Sequence, residues 1–307
     1  MNLSINPFYY CNFRCSFCYL TEAQLSDKRV LPIPVLTDLL NDVSAAWPIE
    51  HVDIYGGEVT LLPKTYFLEL KEILIAQGVE SVNINTNLSF INEIVQDPFF
   101  SLSVSYDFNA REKHEIVFNN MLMLARSFSV LTLASRELLD TVTPDEYVMS
   151  MNMLGNLHSA EIKPYSTNQA NNAVVSFKEF EDFVWAVICH PKRNFAFQNE
   201  ANLNAVLEDP TKNSFSDDHI YITPNGKLAV LEFDQDDREF FLELDDIAAY
   251  QRWCSLERER VSKNAFCSQC DYFGRCLSEH LRDIKTAEDS CSGFKGLILK
   301  WVDDENC

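Results

Sequence analysis

Three cysteines near the start of the chain are spaced closely enough for one loop to wrap them around a single inorganic centre. Cys11, Cys15 and Cys18 stand in C-x₃-C-x₂-C spacing, and an aromatic residue directly precedes the third cysteine. Three thiolates on a four-iron cube leave one iron without a protein ligand, and that iron can bind a small molecule. A zinc knuckle would need a fourth Cys or His close by, whereas the nearest histidine is His51. The spacing therefore favours a reactive iron–sulfur loop over a zinc knuckle or a redox dithiol.

This cysteine pattern resembles the signature of the radical S-adenosylmethionine (SAM) superfamily. In that family, the open iron of a [4Fe-4S] cluster chelates the amino and carboxylate groups of SAM. Gly56, Gly57 and Glu58 resemble the family's Gly-Gly-Glu motif, which holds the methionyl amino group, although Val59 replaces the usual proline. The resemblance implies that the chain cleaves SAM to methionine and a 5′-deoxyadenosyl radical, which takes a hydrogen atom from a substrate carbon.

Further residues resemble family positions that end the third and fourth strands. Asn87 stands in a Thr-Asn pair, and Ser105 and Arg111 resemble residues that contact the ribose or carboxylate of SAM. By the same likeness Asp107 would face the substrate, where a carboxylate could act as the general base. The alternative for Asp107 is a helix cap or a turn residue. The resemblance thus implies contacts to SAM from Phe17, Gly56, Gly57, Glu58, Asn87, Ser105 and Arg111.

A second group of cysteines lies in the C-terminal part of the chain. It resembles the SPASM extension of peptide-modifying radical SAM enzymes, in which such cysteines fully ligate an auxiliary [4Fe-4S] cluster. Four thiolates leave no vacant iron, so this cluster would move electrons rather than bind substrate. Zinc in the same cysteines is the structural alternative. The core of the pattern is Cys267, Cys270 and Cys276, and Cys291, Cys254 or His280 could complete it.

The SPASM pattern is incomplete. The family's inner cluster uses a cysteine five residues after a hairpin glycine, and here that glycine resembles Gly226 and the later position is Leu231. The resemblance therefore implies a reduced extension that keeps the hairpin and has a single auxiliary cluster. Cys189 lies in a predicted aromatic helix, where we expect it to be a buried small hydrophobic residue.

The elements that must position these residues alternate between strand and helix patterns, which is typical of parallel βαβ units. Six predicted strands fall short of an eight-stranded barrel. We therefore predict an α/β fold: a partial (β/α)₆ TIM-like barrel over residues 1–205 and a small cysteine-rich α+β extension over residues 206–307. Functional groups are expected at the carboxyl ends of the strands. The predicted strands are Leu3–Asn6, His51–Tyr55, Ser81–Asn85, Phe100–Ser105, Ser129–Ala134 and Ala160–Pro164, followed by a hairpin of His219–Thr223 and Lys227–Phe233. The predicted helices are Pro34–Ala46, Lys64–Gln77, Glu112–Ser127, Thr143–Leu154 and Phe177–Cys189.

Composition excludes several classes of partner. Lys and Arg number 25 against 46 Asp and Glu, which gives a net charge of −21. Such a surface repels phosphate backbones and anionic lipid, so we expect no nucleic-acid or membrane partner. Ten cysteines, without the features of an export signal at the start, indicate metal ligation in a reducing cytoplasm.

The likeness to SPASM-containing enzymes implies a ribosomally made precursor peptide as substrate and an oxidative crosslink or related maturation as reaction. Alternatives are a dehydrogenase of an aminocyclitol or sugar alcohol, a peptide epimerase, and a catalytically silent iron–sulfur or zinc scaffold. A flavodoxin or ferredoxin would supply electrons. Because the cluster loop already starts at residue 11, we expect a separate protein to bind the leader of a precursor peptide.

Overall fold

The fold is that of a computed structural model, which describes residues 1–164, 175–215, 217–231, 240–277, 291 and 294–303. Strands and helices alternate through the first two-thirds of the chain. The strands are β1 (Asn2–Ile5), β2 (His51–Ile54), β3 (Ser81–Thr86), β4 (Ser101–Ser105), β5 (Phe128–Leu133), β6 (Leu157–Lys163), β7 (Ala196–Phe197), β8 (His219–Ile222), β9 (Leu228–Leu231) and β10 (Phe241–Leu244). The α-helices are α1 (Glu22–Ser26), α2 (Ile33–Ala46), α3 (Lys64–Ala76), α4 (Glu93–Gln96), α5 (His114–Met123), α6 (Arg136–Thr141), α7 (Pro144–Asn152), α8 (Phe177–Ile188), α9 (Gln198–Glu208), α10 (Ile247–Ser262) and α11 (Lys295–Val302).

All ten strands form one sheet in the order β10-β9-β8-β1-β2-β3-β4-β5-β6-β7. Strands β1 to β6 pair in parallel with their sequence neighbours, as a partial barrel requires. The predicted α/β fold with a partial TIM-like barrel is confirmed. Because parallel strands share their direction, the loops after β1 to β5 meet at one edge of the sheet.

The sheet has one apolar face, which packs under helices, and one polar face. On the apolar face, Leu3 and Ile5 of β1 and Ile54 of β2 are fully buried in one core with residues of α2 and α3 such as Leu40 and Leu70. Each such side chain stabilises the fold by roughly 1.5–3 kcal/mol relative to exposure. The opposite face carries hydrogen-bonding side chains, for which the period-two alternation of a strand accounts.

The C-terminal hairpin continues the barrel sheet instead of forming a sheet of its own. Strand β8 pairs in parallel with β1, in register from Asn2 opposite His219 to Ile5 opposite Ile222. Strand β9 returns antiparallel after the predicted turn, in which Gly226 has φ +72°, and β10 pairs antiparallel with β9. The predicted boundary between residues 205 and 206 falls inside α9, and it stays a prediction. The end of the predicted second hairpin strand, residues 232–233, lies outside the described residues.

The structure also contains elements that the sequence patterns did not indicate. Helix α6 has only six residues, and α9 is largely polar, with Leu203 and Val206 buried against the core. The predicted helix over Glu112–Ser127 is shorter, because α5 begins at His114 and ends at Met123. Among the described residues, no helix is both long and apolar enough to cross a membrane.

Candidate active site and second cysteine group

The cysteine loop follows β1 and crosses the edge where the parallel strands end. Phe13 anchors it, since this side chain is almost fully buried and its backbone N–H donates to Cys11 Sγ at 3.4 Å. The backbone N–H of Cys18 donates to the carbonyl of Cys15 at 3.2 Å. Burial raises the pKa of Cys11 to about 11, with smaller contributions that include the other two cysteines, so the three thiols are close enough to interact. Burial also raises the pKa of Cys15, and that of Cys18 to about 11.

The two glycines of the Gly-Gly-Glu segment allow its backbone to contact the start of the cysteine loop. A Cβ at Gly57 would lie 2.1 Å from the carbonyl oxygen of Tyr10, and one at Gly56 2.5 Å from that of Phe8. Gly56 also has φ +151°, where side chains are strained. The backbone N–H of Gly57 donates to the Phe8 carbonyl at 3.1 Å, and that of Glu58 donates to Tyr10 at 2.9 Å. The glycines therefore make room for the protein's own loop.

Glu58 ties the end of β2 to the end of β3. Its carboxylate is fully buried and accepts from Thr86 Oγ1 at 2.8 Å and from the backbone N–H of Asn87 at 2.6 Å. Thr60 donates to the same group from its backbone at 3.1 Å and from its hydroxyl. Burial raises the pKa of Glu58, and these hydrogen bonds oppose that shift. The side chain is thus committed to contacts within the protein.

Asn87 lies beside the first cysteine, next to a residue that the sequence patterns did not single out. Its Nδ2 stands 3.7 Å from Cys11 Sγ and donates to Asn12 Oδ1 at 3.0 Å. Asn12 in turn donates to Ser89 Oγ at 2.8 Å. The only sequence feature that could have pointed to Asn12 is its position directly after Cys11, the first cysteine of the loop. The two amides fix the edge of the cysteine loop against the loop that follows β3.

Arg111 and Asp107 form a buried pair beside the second cysteine. Arg111 Nη1 lies 3.9 Å from Cys15 Sγ, and its guanidinium lies over the ring of Phe17 at 5.4 Å. Asp107 is only 1% exposed, and it accepts from Arg111 Nε at 2.8 Å and from the backbone N–H of Leu133 at 2.6 Å. These contacts favour a positioning role for Asp107 over the predicted role as general base. Ser105, the last residue of β4, lies half-buried at the same edge of the sheet.

The C-terminal hairpin covers the cysteine loop with apolar side chains. The rings of Tyr9 and Phe241 are stacked at 6.5 Å, and Tyr19 contacts Phe240 at 4.3 Å. Leu231 is buried in the same cluster, against which Cys11 and Cys18 pack. Leu231, at the position where the SPASM resemblance would place an inner-cluster cysteine, is therefore part of an apolar core in this chain.

The second cysteine group surrounds one small cavity. Burial raises the pKa of Cys267 to about 11, with smaller contributions from Cys276, Cys291 and Cys270. The cavity is lined by Phe266, Cys267, Cys270, Tyr272, Phe273, Cys276, Cys291, Lys295 and Ile298. Four thiols around one space suit a multi-iron centre. Within the described ranges, no three His, Cys, Asp or Glu side chains are arranged to hold a single metal ion.

The remaining cysteine predictions have different outcomes. Cys254 lies on α10 within hydrogen-bonding distance of the Tyr250 hydroxyl, outside the lining of this cavity, so Cys291 is the better fourth member. His280 lies outside the described residues. The expectation that Cys189 is a buried hydrophobic residue is wrong, because this residue is half-buried and disulfide-bonded.

Comparison with known families decides how the first cysteine loop is understood. Residues 5–104 match the family described as the radical SAM superfamily, and this range includes the cysteine loop, the Gly-Gly-Glu segment and Asn87. The chain carries a radical SAM domain. The predictions of this superfamily and of an enzyme are thereby confirmed. No curated protein matches the chain in sequence.

Solved structures of radical SAM enzymes share the fold over nearly the whole chain. Native anSMEcpe with bound AdoMet is 14% identical, covers 97% of this chain and 94% of its own, and superposes with a TM-score of 0.66. The same enzyme with AdoMet and the Cp18Cys peptide covers 98% and 95%, at 14% identity and a TM-score of 0.66. Streptococcus suis SuiB bound to the precursor peptide SuiA is 15% identical, covers 93% and 73%, and gives 0.59. At these identities the likeness shows the fold alone.

Proposed function

We propose that this radical SAM enzyme modifies a ribosomally made precursor peptide by an oxidative crosslink or a related maturation. The observation that carries the proposal is the pairing of two cysteine groups, one against the Gly-Gly-Glu segment and one around a separate cavity. Support for a peptide comes from the shared fold of anSMEcpe with bound Cp18Cys peptide and of SuiB with SuiA.

Cys11, Cys15 and Cys18 fit a [4Fe-4S] cluster, because they lie half-buried on one loop and interact with one another. The backbone of Gly56–Glu58 and the side chains of Phe17, Asn87, Ser105 and Arg111 would border SAM. When bound, the cluster and SAM supply a 5′-deoxyadenosyl radical. Arg111 would place an N–H donor and a positive charge beside the Cys15 thiolate. The apolar side chains packed over the loop would limit the access of water, which would otherwise quench reactive species.

Cys267, Cys270, Cys276 and Cys291 would hold the second [4Fe-4S] cluster. With all four positions filled by thiolates, this site suits electron transfer during a net oxidation of the substrate. A flavodoxin or ferredoxin is the proposed electron donor, and a separate protein is proposed to bind the leader.

Replacing Cys11 with alanine tests the SAM-cleaving site. Since the loss of a residue behind a metal ligand already costs about 10–100-fold in metal affinity or activity, loss of a ligand is expected to cost more. The assay measures 5′-deoxyadenosine formed from SAM and dithionite after anaerobic reconstitution. Cys254→Ala is the control and should keep wild-type activity, because Cys254 lies outside both cysteine groups. Cleavage by neither protein would contradict the enzyme and favour a silent scaffold, whereas equal cleavage by both would contradict the role of Cys11 as a cluster ligand.

Replacing Cys291 with alanine tests the second cluster independently. Wild type is expected to hold about eight irons per chain and the variant about four. The measurement is iron and acid-labile sulfide per chain, with zinc determined in the same samples. Cys254→Ala should retain the wild-type count. Four irons plus one zinc in the wild type would instead assign the second site to zinc.

Product mass separates the proposed reaction from its alternatives. A crosslink removes the mass of two hydrogen atoms from a co-expressed peptide, whereas epimerisation leaves the mass unchanged in water and introduces solvent deuterium in heavy water. A precursor peptide that returns unmodified, together with turnover of an aminocyclitol or sugar alcohol, would favour the small-molecule dehydrogenase.

A further inference from the structure

We propose that Glu181, on helix α8 of the barrel, is a positioning residue that places Cys291 among the other three cysteines of the second group. The inference rests on the proposed function of that group. Cys291 follows Cys276 by 15 residues, so local spacing does not fix its position, in contrast to the spacing within Cys267–Cys276. Its place must be set by contacts made elsewhere in the fold.

The first of these contacts ties Cys291 to the start of helix α11. The backbone N–H of Lys295, the first residue of that helix, donates to Cys291 Sγ at 3.4 Å. Phe294 precedes the helix in the left-handed region, with φ 58°, and supplies no side-chain cap. The backbone N–H groups of Leu297 and Ile298 donate to the Phe294 carbonyl at 3.0 and 3.1 Å, so Gly296 is the next N–H group that needs an acceptor from another element.

Glu181 supplies the missing acceptor. Its carboxylate lies within hydrogen-bonding reach of the backbone N–H groups of Gly296 and Leu297, of which Leu297 also donates to the Phe294 carbonyl. The approach is close, since a Cβ at Gly296 would lie 2.4 Å from Glu181 Oε2. A carboxylate on α8 thus caps the helix whose first N–H holds the Cys291 sulfur.

Helix α8 can hold the start of α11 in place because its own side chains pack in the barrel core. Val184 and Val187 are fully buried there. Toward α11, the ring of Phe294 packs on Phe180 at 4.7 Å and on Phe177 at 5.1 Å. Movement of α11 would displace Cys291, and Glu181 is the polar contact that fixes the near end of this helix.

The test uses the full chain, reconstituted anaerobically, and counts iron. Glu181→Ala is expected to fall from about eight irons per chain to about four while still forming 5′-deoxyadenosine from SAM. Gly296→Ala keeps the carboxylate but pushes it off the N–H groups, and it should lower the count in the same direction. Glu181→Gln retains one acceptor oxygen and should keep a higher iron count than Glu181→Ala.

Asp182→Asn is the matched control. Asp182 is the neighbouring carboxylate on α8 and contacts α11 through Lys300 at 2.9 Å, far from the helix start. It should keep the wild-type count, which separates capping from general loss of charge between the helices. Circular dichroism and thermal unfolding verify that the variants are folded.

The possible failures are distinguishable. A folded Glu181→Ala protein with about eight irons overturns the positioning role and leaves the second cluster in place. A wild type with about four irons and one zinc overturns the cluster, and loss of that zinc in Glu181→Ala would still support the positioning role. A wild type with about four irons and no zinc overturns both.

Discussion

Replacing Gly57 with alanine is expected to reduce SAM cleavage by at least about 100-fold. The added methyl group would lie 2.1 Å from the carbonyl oxygen of Tyr10 and 2.3 Å from that of Tyr9. Both obstacles are backbone atoms, so relief requires movement of the segment that leads into the cysteine loop. A displacement of about 1 Å in a catalytic site can cost about 100-fold in rate. The same conflict would lower thermal stability, because the hydrogen bonds from Gly57 and Glu58 to this segment would be strained.

The measurement compares 5′-deoxyadenosine formation, iron content and thermal unfolding for Gly57→Ala and a glycine control. Gly155→Ala is a suitable control, because nothing lies within 4 Å of a Cβ at that position and its φ is not in the left-handed region. It should behave as wild type. Wild-type cleavage by Gly57→Ala would mean that the Gly-Gly-Glu segment does not depend on this close approach.

Motifs whose members are close in sequence could be predicted, because short loops leave few ways to arrange them. The three cysteines of residues 11–18 are one case, and the period-two strands with their parallel pairing are another. The reason why glycine is needed at positions 56 and 57 could be predicted only in part. The resemblance implied that this segment holds SAM, but the groups that its glycines approach most closely are the backbone carbonyls of Phe8, Tyr9 and Tyr10. That contact depends on how β1 and β2 are placed side by side, which residue types alone do not specify.

Features that depend on contacts between residues distant in sequence could not be predicted. Nothing local separates Cys291 from Cys254 as the fourth member, and only the positions of α10 and the cavity distinguish them. Helix α9 was not predicted because its polar sequence lacks a strong apolar stripe. The helix is stabilised by the packing of Leu203 and Val206 on the core. The pairing of β8 with β1 could not be predicted either, because the sequence of each strand shows only a short alternating pattern and does not indicate its partner.

Replacing Asp107 with asparagine is expected to destabilise the protein by about 3–5 kcal/mol, the usual effect of removing one partner of a buried ion pair. Asp107 and Arg111 are 1% and 10% exposed, with 2.6 Å between Oδ2 and Nη2. Burial alone would lower the pKa of Arg111, but the charge of Asp107 reverses that shift and keeps it raised. Without the carboxylate, Arg111 remains a buried cation beside Cys15, and the backbone N–H of Leu133 has a weaker acceptor. The free energy of unfolding in urea measures the change.

A second Arg–Asp pair at the same sequence separation provides the control. Arg136 and Asp140 are spaced by four residues, but their side chains are 32% and 57% exposed. Asp140→Asn should therefore change stability by no more than about 1 kcal/mol. The double replacement Asp107→Leu with Arg111→Met removes both charges and should recover much of the stability lost by Asp107→Asn alone.

If Asp107 is instead a general base, a different pattern is expected. Asp107→Asn would then retain wild-type stability and SAM cleavage while losing substrate turnover, and its pH–rate profile would lose one ionisation. Wild-type stability with that loss would return Asp107 to the role of base, whereas a stability loss rescued by the double replacement would identify it as the residue that holds Arg111 against the cysteine loop.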